Sequence, residues 1–166
     1  AFRMASMILP TVRWTAAAET VVSGLRDDDE LLVVCDSEAD PGVDAAPEEA
    51  TPYAHYLLHE VEDYFVAEQQ GQVVAAGGLN YFLAERIARL SWDLVHPACQ
   101  RQGLGRALVQ HRLGWLRAHQ PGVARVVVRT SQLAYRFYAR QGFWLEETVP
   151  DYWAPGFDLY RLARKL

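Results

Sequence analysis

Hydrophobic positions along the chain change period several times, and each change marks an element. The expected plan alternates strands and helices. A strand over 8–14 leads to Thr15 as an N-cap and a helix over 16–25, which stops at the acidic Asp27-Asp28-Asp29-Glu30. Residues 36–50, with Pro41, Gly42 and Pro47, read as a flexible acidic loop. A helix over 51–62 precedes strands over 64–68 and 73–79, joined by a turn at Gln69-Gln70-Gly71-Gln72. The strand over 89–95 then runs into a helix with two distinct sides: Leu104, Leu108, Val109, Leu113 and Leu116 on one, Arg106, Gln110 and Arg117 on the other. That is the pattern of a helix lying on a sheet. A strand over 123–129, a helix over 131–141 and two strands flanking Ala154-Pro155-Gly156 complete the chain, and no segment repeats.

The composition agrees with a single domain over 1–166, since 51% hydrophobic content in 166 residues supplies a sizeable core. The formal charge of −5 is local: Asp36, Glu38, Asp40, Asp44, Glu48 and Glu49 contribute six acids, and setting them aside leaves +1. Net acidity therefore says little about the substrate, while the absence of a basic stripe argues against nucleic acid as a partner. Cys35 and Cys99 are too few for a disulfide framework and lack zinc-ligand spacing, which suits a reducing cytoplasm. No apolar run is long enough to span a bilayer, and no targeting signal is visible at the start, where Ala1-Phe2-Arg3 ahead of Met4 read as an expression remnant.

The most informative stretch is Leu94-Val95-His96-Pro97-Ala98-Cys99-Gln100-Arg101-Gln102-Gly103-Leu104-Gly105-Arg106, where a strand opens into a helix through two glycines spaced one apart. At such a junction the first helical amides lack partners and the helix dipole is positive, so the backbone can cradle a phosphate. Gly103 and Gly105 have no Cβ to hold the anion off. Two common phosphate loops fail on these residues. A P-loop needs Gly-Lys-Ser/Thr, and Gly105 is followed by Arg106 and Ala107; a dinucleotide fingerprint needs a small third residue, and that position is Leu108.

What remains, Gln100-x-x-Gly103-x-Gly105, resembles the acyl-CoA-binding signature of the GNAT N-acetyltransferase superfamily. Val95-His96-Pro97 and Tyr138-Ala139-Arg140-Gln141-Gly142-Phe143 match the Val-x-Pro and Tyr-x-x-x-Gly-Phe found before and after that signature, so the resemblance spans roughly 61–166. It implies a three-layer α/β (α+β) fold of GNAT type: a mixed, mostly antiparallel sheet with helices on both faces and strands splayed at the acyl-CoA site. It also implies acetyl transfer from acetyl-CoA, as co-substrate and without a metal, to a primary amine of a small molecule or peptide, by direct attack in a ternary complex. A homodimer is common among such proteins. The alternative function is a non-catalytic acyl-CoA sensor or interaction module; a nucleotide-binding protein is a third reading.

Carried onto this chain, the resemblance assigns the acyl-CoA contacts to Leu94, Val95, Gln100, Arg101, Gln102, Gly103, Leu104, Gly105, Arg106, Ser131 and Tyr138. Acyl transfer needs a donor where negative charge develops on the thioester oxygen, and the Val95 N–H at a strand bulge takes that role. Tyr138 is the expected acid for the departing thiolate, against the plain reading that it packs in a buried helix face. Asp93 is a candidate base or amine anchor, against a satisfied structural carboxylate; His96, Glu60, Glu62 and Glu85 are further candidates. Ser131 stands where relatives often carry an asparagine, and it also suits a helix cap.

Three other features invite chemistry. His55 and His59 share a helix face, but the glutamate of a zinc motif is missing between them, and lining an acceptor pocket is the competing role. Cys99 lacks a neighbour to activate it and reads as a passive loop residue. The segment from Asp151 through Tyr152, Trp153 and Asp158 to Tyr160 combines aromatic faces with acids; it reads either as core packing or as a wall suited to a cationic amine.

Overall fold

In the computed structural model the described residues are 13–16 and 47–166. Strand β1 (Arg13–Ala16) pairs antiparallel with β2 (Asp63–Gln69), placing Thr15 opposite Val66 and Ala16 opposite Phe65. Thr15 and Ala16 are therefore strand residues, not the cap and start of a helix; a β-branched residue flanked by Trp14 suits the pleated surface. The remainder of the expected strand at 8–12, of the helix at 17–25 and of the loop at 36–46 lies outside the described residues. Helix α1 (Pro47–His59) takes in the last four residues assigned to that loop and stops three short of the expected end. Pro47 has no N–H to leave unsatisfied and its φ is set for a first helical turn, which makes it a start signal and not loop punctuation.

The β2 strand turns into β3 (Gln72–Phe82) through Gln70 and Gly71, both with positive φ (54° and 81°), as a tight two-residue hairpin requires. A 3₁₀ turn at Leu83–Glu85 leads to β4 (Ile87–Val95) and a second at Pro97–Cys99 leads to α2 (Leu104–His119). Then follow β5 (Arg125–Thr130), the short α3 (Tyr135–Ala139), β6 (Trp144–Ala154) and β7 (Phe157–Lys165). The expected helix over 131–141 is thus only five residues long. Ser131 takes the Leu133 N–H on its hydroxyl at 3.3 Å, as a cap does, and a turn over 132–134 leads from it into the regular helix.

The sheet order is β1-β2-β3-β4-β5-β7-β6, with β4 and β5 the parallel pair and antiparallel pairing elsewhere. Alternation along β2 separates two cores. Phe65 faces Leu108, Leu113 and Leu116 of α2 and Phe137 of α3, together with Leu79, Leu90, Val126, Val128 and Leu162. Tyr64 and Val66 face Tyr53, Tyr56 and Leu57 of α1 on the opposite side. The amphipathic side read for α2 is the buried one, since Leu104, Leu108, Val109, Leu113 and Leu116 are each at most 3% exposed.

Candidate active site

Pairing between β4 and β5 runs from Ile87 opposite Arg125 to Leu90 opposite Val128 and ends there, although β4 continues to Val95 and β5 to Thr130. The two strands part. On its other edge β4 stays on β3 as far as Val95 opposite Ala75, but with a shift between Ala76 and Gly78 that sets Trp92 and Asp93 against Gly77. Trp92 has φ +51°, a conformation seldom adopted by a bulky residue, and this kink is a β-bulge. Just beyond it, His96 N–H bonds Val74 O at 2.9 Å. Successive amides of an extended strand face opposite edges, so the Val95 N–H points to the side that β5 has left.

The bulge delivers Asp93 to the α2 face, where both its oxygens are engaged. Tyr138 Oη donates to Oδ2 at 2.8 Å, and Arg112 Nη1 lies 2.6 Å from Oδ1, close enough for an ion pair although not aligned as a hydrogen bond. Arg112 is fully buried and also donates to Gly78 O at 3.0 Å, next to the interrupted ladder. Burial disfavours its charge, but the adjoining Asp93 carboxylate prevails and its pKa is raised. A Cβ on Gly77 would stand 2.8 Å from Arg112 Nη1 and 3.0 Å from Asp93 Oδ1, so only glycine leaves room for the pair. Tyr138 itself is held by the edge of Phe143, which the turn at Gly142 (φ +83°) folds back against it. That contact gives the Tyr-x-x-x-Gly-Phe spacing its physical meaning.

From the end of β4 the chain turns into α2. His96 Nδ1 accepts the Ala98 N–H at 3.2 Å, capping the 3₁₀ turn, and Gln102 Nε2 holds Ala98 O at 2.9 Å. Arg101 (φ +58°) and Gly103 (φ +86°) then swing the backbone round. The amides of residues 101–106 form no hydrogen bond with any described residue, and a Cβ on Gly103 would meet nothing within 4 Å. A row of open donors before open space, at the positive end of a sixteen-residue helix, fits a phosphate. Gly105 serves packing: a Cβ there would be 3.3 Å from the Phe137 ring, so its absence lets α2 approach α3.

The other sequence candidates are dispersed. Glu62 Oε2 accepts the Tyr81 N–H and Glu60 O accepts from Asn80, and both of those β3 residues pair with β4 near Arg89, well before the bulge. Glu85 lies in the turn before β4, at the opposite end of that strand from Val95. His55 and His59 have ring centroids 4.8 Å apart, and His55 contacts exposed Glu60 at 3.2 Å. Cys99 packs its free thiol near Val95 and Leu104. In the β6–β7 hairpin each carboxylate gives one oxygen to a backbone amide: Asp151 takes Gly156 N–H at 2.6 Å and Asp158 takes Asp151 N–H at 3.0 Å. The hairpin aromatics Tyr152 and Trp153 enclose the Arg129 guanidinium, its carbon 4.9 and 5.5 Å from their centroids.

Arg112, Gly77 and Arg129 escape the sequence reading. Arg112 had a signal, because it sits midway between Leu108 and Leu116 on the apolar stripe of α2, where an isolated charge needs a buried partner. Gly77 and Arg129 acquire their meaning only through the bulge and the hairpin.

Family comparison gives this arrangement its class. A model of the acetyltransferase (GNAT) family matches residues 30–143, and the chain belongs to that family. Solved structures agree in fold. A ribosomal-protein alanine N-acetyltransferase from Escherichia coli is 22% identical, with 93% of this chain and 94% of that one aligned at a TM-score of 0.68. An IAA acetyltransferase from Bacillus cereus is 17% identical over 94% and 100% of the two chains, at 0.68. A GNAT family acetyltransferase from Elizabethkingia anophelis, solved with acetyl-CoA bound, is 14% identical over 93% and 98%, at 0.65. No curated protein matches the sequence. Among the described residues no helix is long and apolar enough to cross a membrane.

Proposed function

We propose that this acetyltransferase moves an acetyl group from acetyl-CoA to a primary amine by direct attack in a ternary complex. The observation that carries the reading is the parting of β4 from β5, which turns the Val95 N–H into an open edge beside the Tyr138–Asp93 hydrogen bond. Acetyl-CoA supplies the acyl group as a thioester. The amides of residues 101–106 are suited to its diphosphate, and Gln100 and Ser131 are taken as further contacts of the same ligand. The Val95 N–H donates a hydrogen bond where negative charge develops, and it needs no reorganisation because the strand already holds it.

Tyr138 Oη holds the proton for the departing thiolate. Its hydrogen rests on Asp93 and swings about the C–O bond to the sulfur as charge develops there; Asp93 positions the oxygen, and with both carboxylate oxygens engaged the proton lost by the amine passes to solvent. The fully buried Arg112 lies against Asp93 Oδ1 and so fixes the carboxylate that Tyr138 contacts. The free thiol of Cys99 suits a reducing compartment, and we take the enzyme to work in the cytoplasm.

The test pairs acetyl-CoA binding with release of free CoA across a panel of primary amines. Tyr138→Phe should lower kcat by roughly 10²-fold or more, as expected when a general acid is removed, and leave acetyl-CoA affinity within a factor of about two. Equal rates would remove Tyr138 as the acid. Tight binding with no release from any amine would favour a sensor.

A further inference from the structure

We infer that the amine acceptor also bears a carboxylate, and that Arg129 is the residue that selects it; this rests on the transferase reading above. The parted sheet has two faces. The open amides of the 101–106 turn, α2 and α3 are gathered on the face of Val126 and Val128, which leaves the α1 face for the amine. Along β5 the side chains alternate, so Arg129 shares the face of Val127, which packs with Ile87 and Ala163 away from α2. Arg129 is the first β5 residue beyond the last pair with β4 and so borders the gap itself.

Its surroundings hold the cation in place without neutralising it. Nη2 donates to the Tyr152 hydroxyl, and the guanidinium lies over both Tyr152 and Trp153, whose rings meet edge to face at 4.9 Å. Trp153 is tied in turn to Thr130 O at 3.3 Å. Aromatic faces stabilise a cation but leave its hydrogen-bonding edge free. No carboxylate pairs with Arg129 among the described residues, and in the hairpin Asp151 and Asp158 each turn Oδ1 to a backbone amide. Its cross-strand neighbour Arg161 faces Glu146 and Glu147 at 3.8 and 3.9 Å, and Arg125 holds Glu146 at 2.5 Å. Arg89, on the same face of β4, lies 5.2 Å over Phe82 and adds positive charge. A polyamine would meet like charge at this mouth, and an amino acid or a peptide with a nearby carboxylate would meet a fixed fork of donors.

The experiment measures equilibrium binding of matched probes to the protein saturated with CoA: β-alanine and γ-aminobutyrate, each against its primary amide, and putrescine as a dication. The acids should bind roughly tenfold tighter than their amides, as one charge-assisted contact implies, and putrescine should bind most weakly. In Arg129→Gln the acid-to-amide ratio should fall to about one, and in Arg129→Lys, which restores the charge without the fork, it should recover in part. Equal binding of acid and amide, preference for putrescine, or a ratio unaltered in Arg129→Gln would overturn the inference. CoA release is read separately. Its absence with the binding preference intact would defeat the transferase reading and leave carboxylate recognition standing.

Discussion

Removing the Arg112 guanidinium would leave the Asp93 carboxylate nearly buried and without a counter-charge, a situation that typically costs about 3–5 kcal/mol. Arg112→Met should therefore lower the melting temperature by roughly 10 °C. Replacing Asp93 with leucine in the same chain should restore much of that loss, because no orphaned charge remains. Turnover should stay depressed in the double variant, since Tyr138 would have lost its acceptor; thermal unfolding and kcat measured on all three proteins check both points, and recovery of kcat would refute the positioning part. At this scale the sequence is legible where backbone geometry decides: the bulge expected beside Val95 is present and Gly103 turns the chain into α2 with positive φ, while Gly105, expected to let an anion approach, serves packing against Phe137. Asp93 was found as a candidate, but its partner was not, because the contact joins residues nineteen positions apart through a strand kink that no local pattern reports.

Helix α1 is fastened to the sheet by hydroxylated rings. Tyr53 and Tyr64 share a 2.5 Å hydrogen bond, and Trp92 packs 5.1 Å from Tyr53 and 6.0 Å from Tyr56. Burial pushes the Tyr53 and Tyr56 hydroxyls up to about 12 and raises Tyr64 as well. Because the unfolded chain gives up these protons first, the contribution to stability is complete below pH 10 and is lost as pH rises toward 12. Fluorescence of the tryptophans, with a Trp92→Phe control, should show α1 loosening across that interval, and Tyr53→Phe should shift the onset to higher pH; an unchanged onset would refute the assignment. Element boundaries show where local signals compete. The hairpin at Gln70-Gly71 is readable from its glycine, whereas the start of α1 is hidden because Pro47 resembles Pro41 and Gly42 of the acidic stretch before it. The helix bearing Tyr138 starts later than Ser131 suggests: that residue bonds the Leu133 N–H as a cap would, but a turn over 132–134 intervenes before the regular run.

At the scale of the molecule, the order of motifs carries the architecture more securely than any propensity does. A strand, a glycine-bearing turn and an amphipathic helix, followed by another apolar strand, imply a parallel crossover, and β4–α2–β5 is one. The insertion of β7 between β5 and β6 was not legible, because strands that alternate similarly do not encode their neighbours. The crossover also links ligand binding to stability. The first turn of α2 packs on α3 through Gly105 and on the sheet through Leu104, so a diphosphate held by its amides would be bound only by the folded chain. At a hundred times the dissociation constant, acetyl-CoA should stabilise the protein by about 2.7 kcal/mol, a rise in melting temperature of roughly 5–10 °C. Gly103→Val should abolish that rise, since a branched side chain at φ +86° strains the turn and fills the open space before the amides. Gly114→Ala is the control. It lies mid-helix on the exposed side of α2, with nothing within 4 Å of a new Cβ, so it should raise the baseline by about 0.5–1 kcal/mol and preserve the ligand-induced rise. A full shift with acetyl-CoA in Gly103→Val would mean that the diphosphate is held elsewhere, and the function argued from this turn would lose its footing.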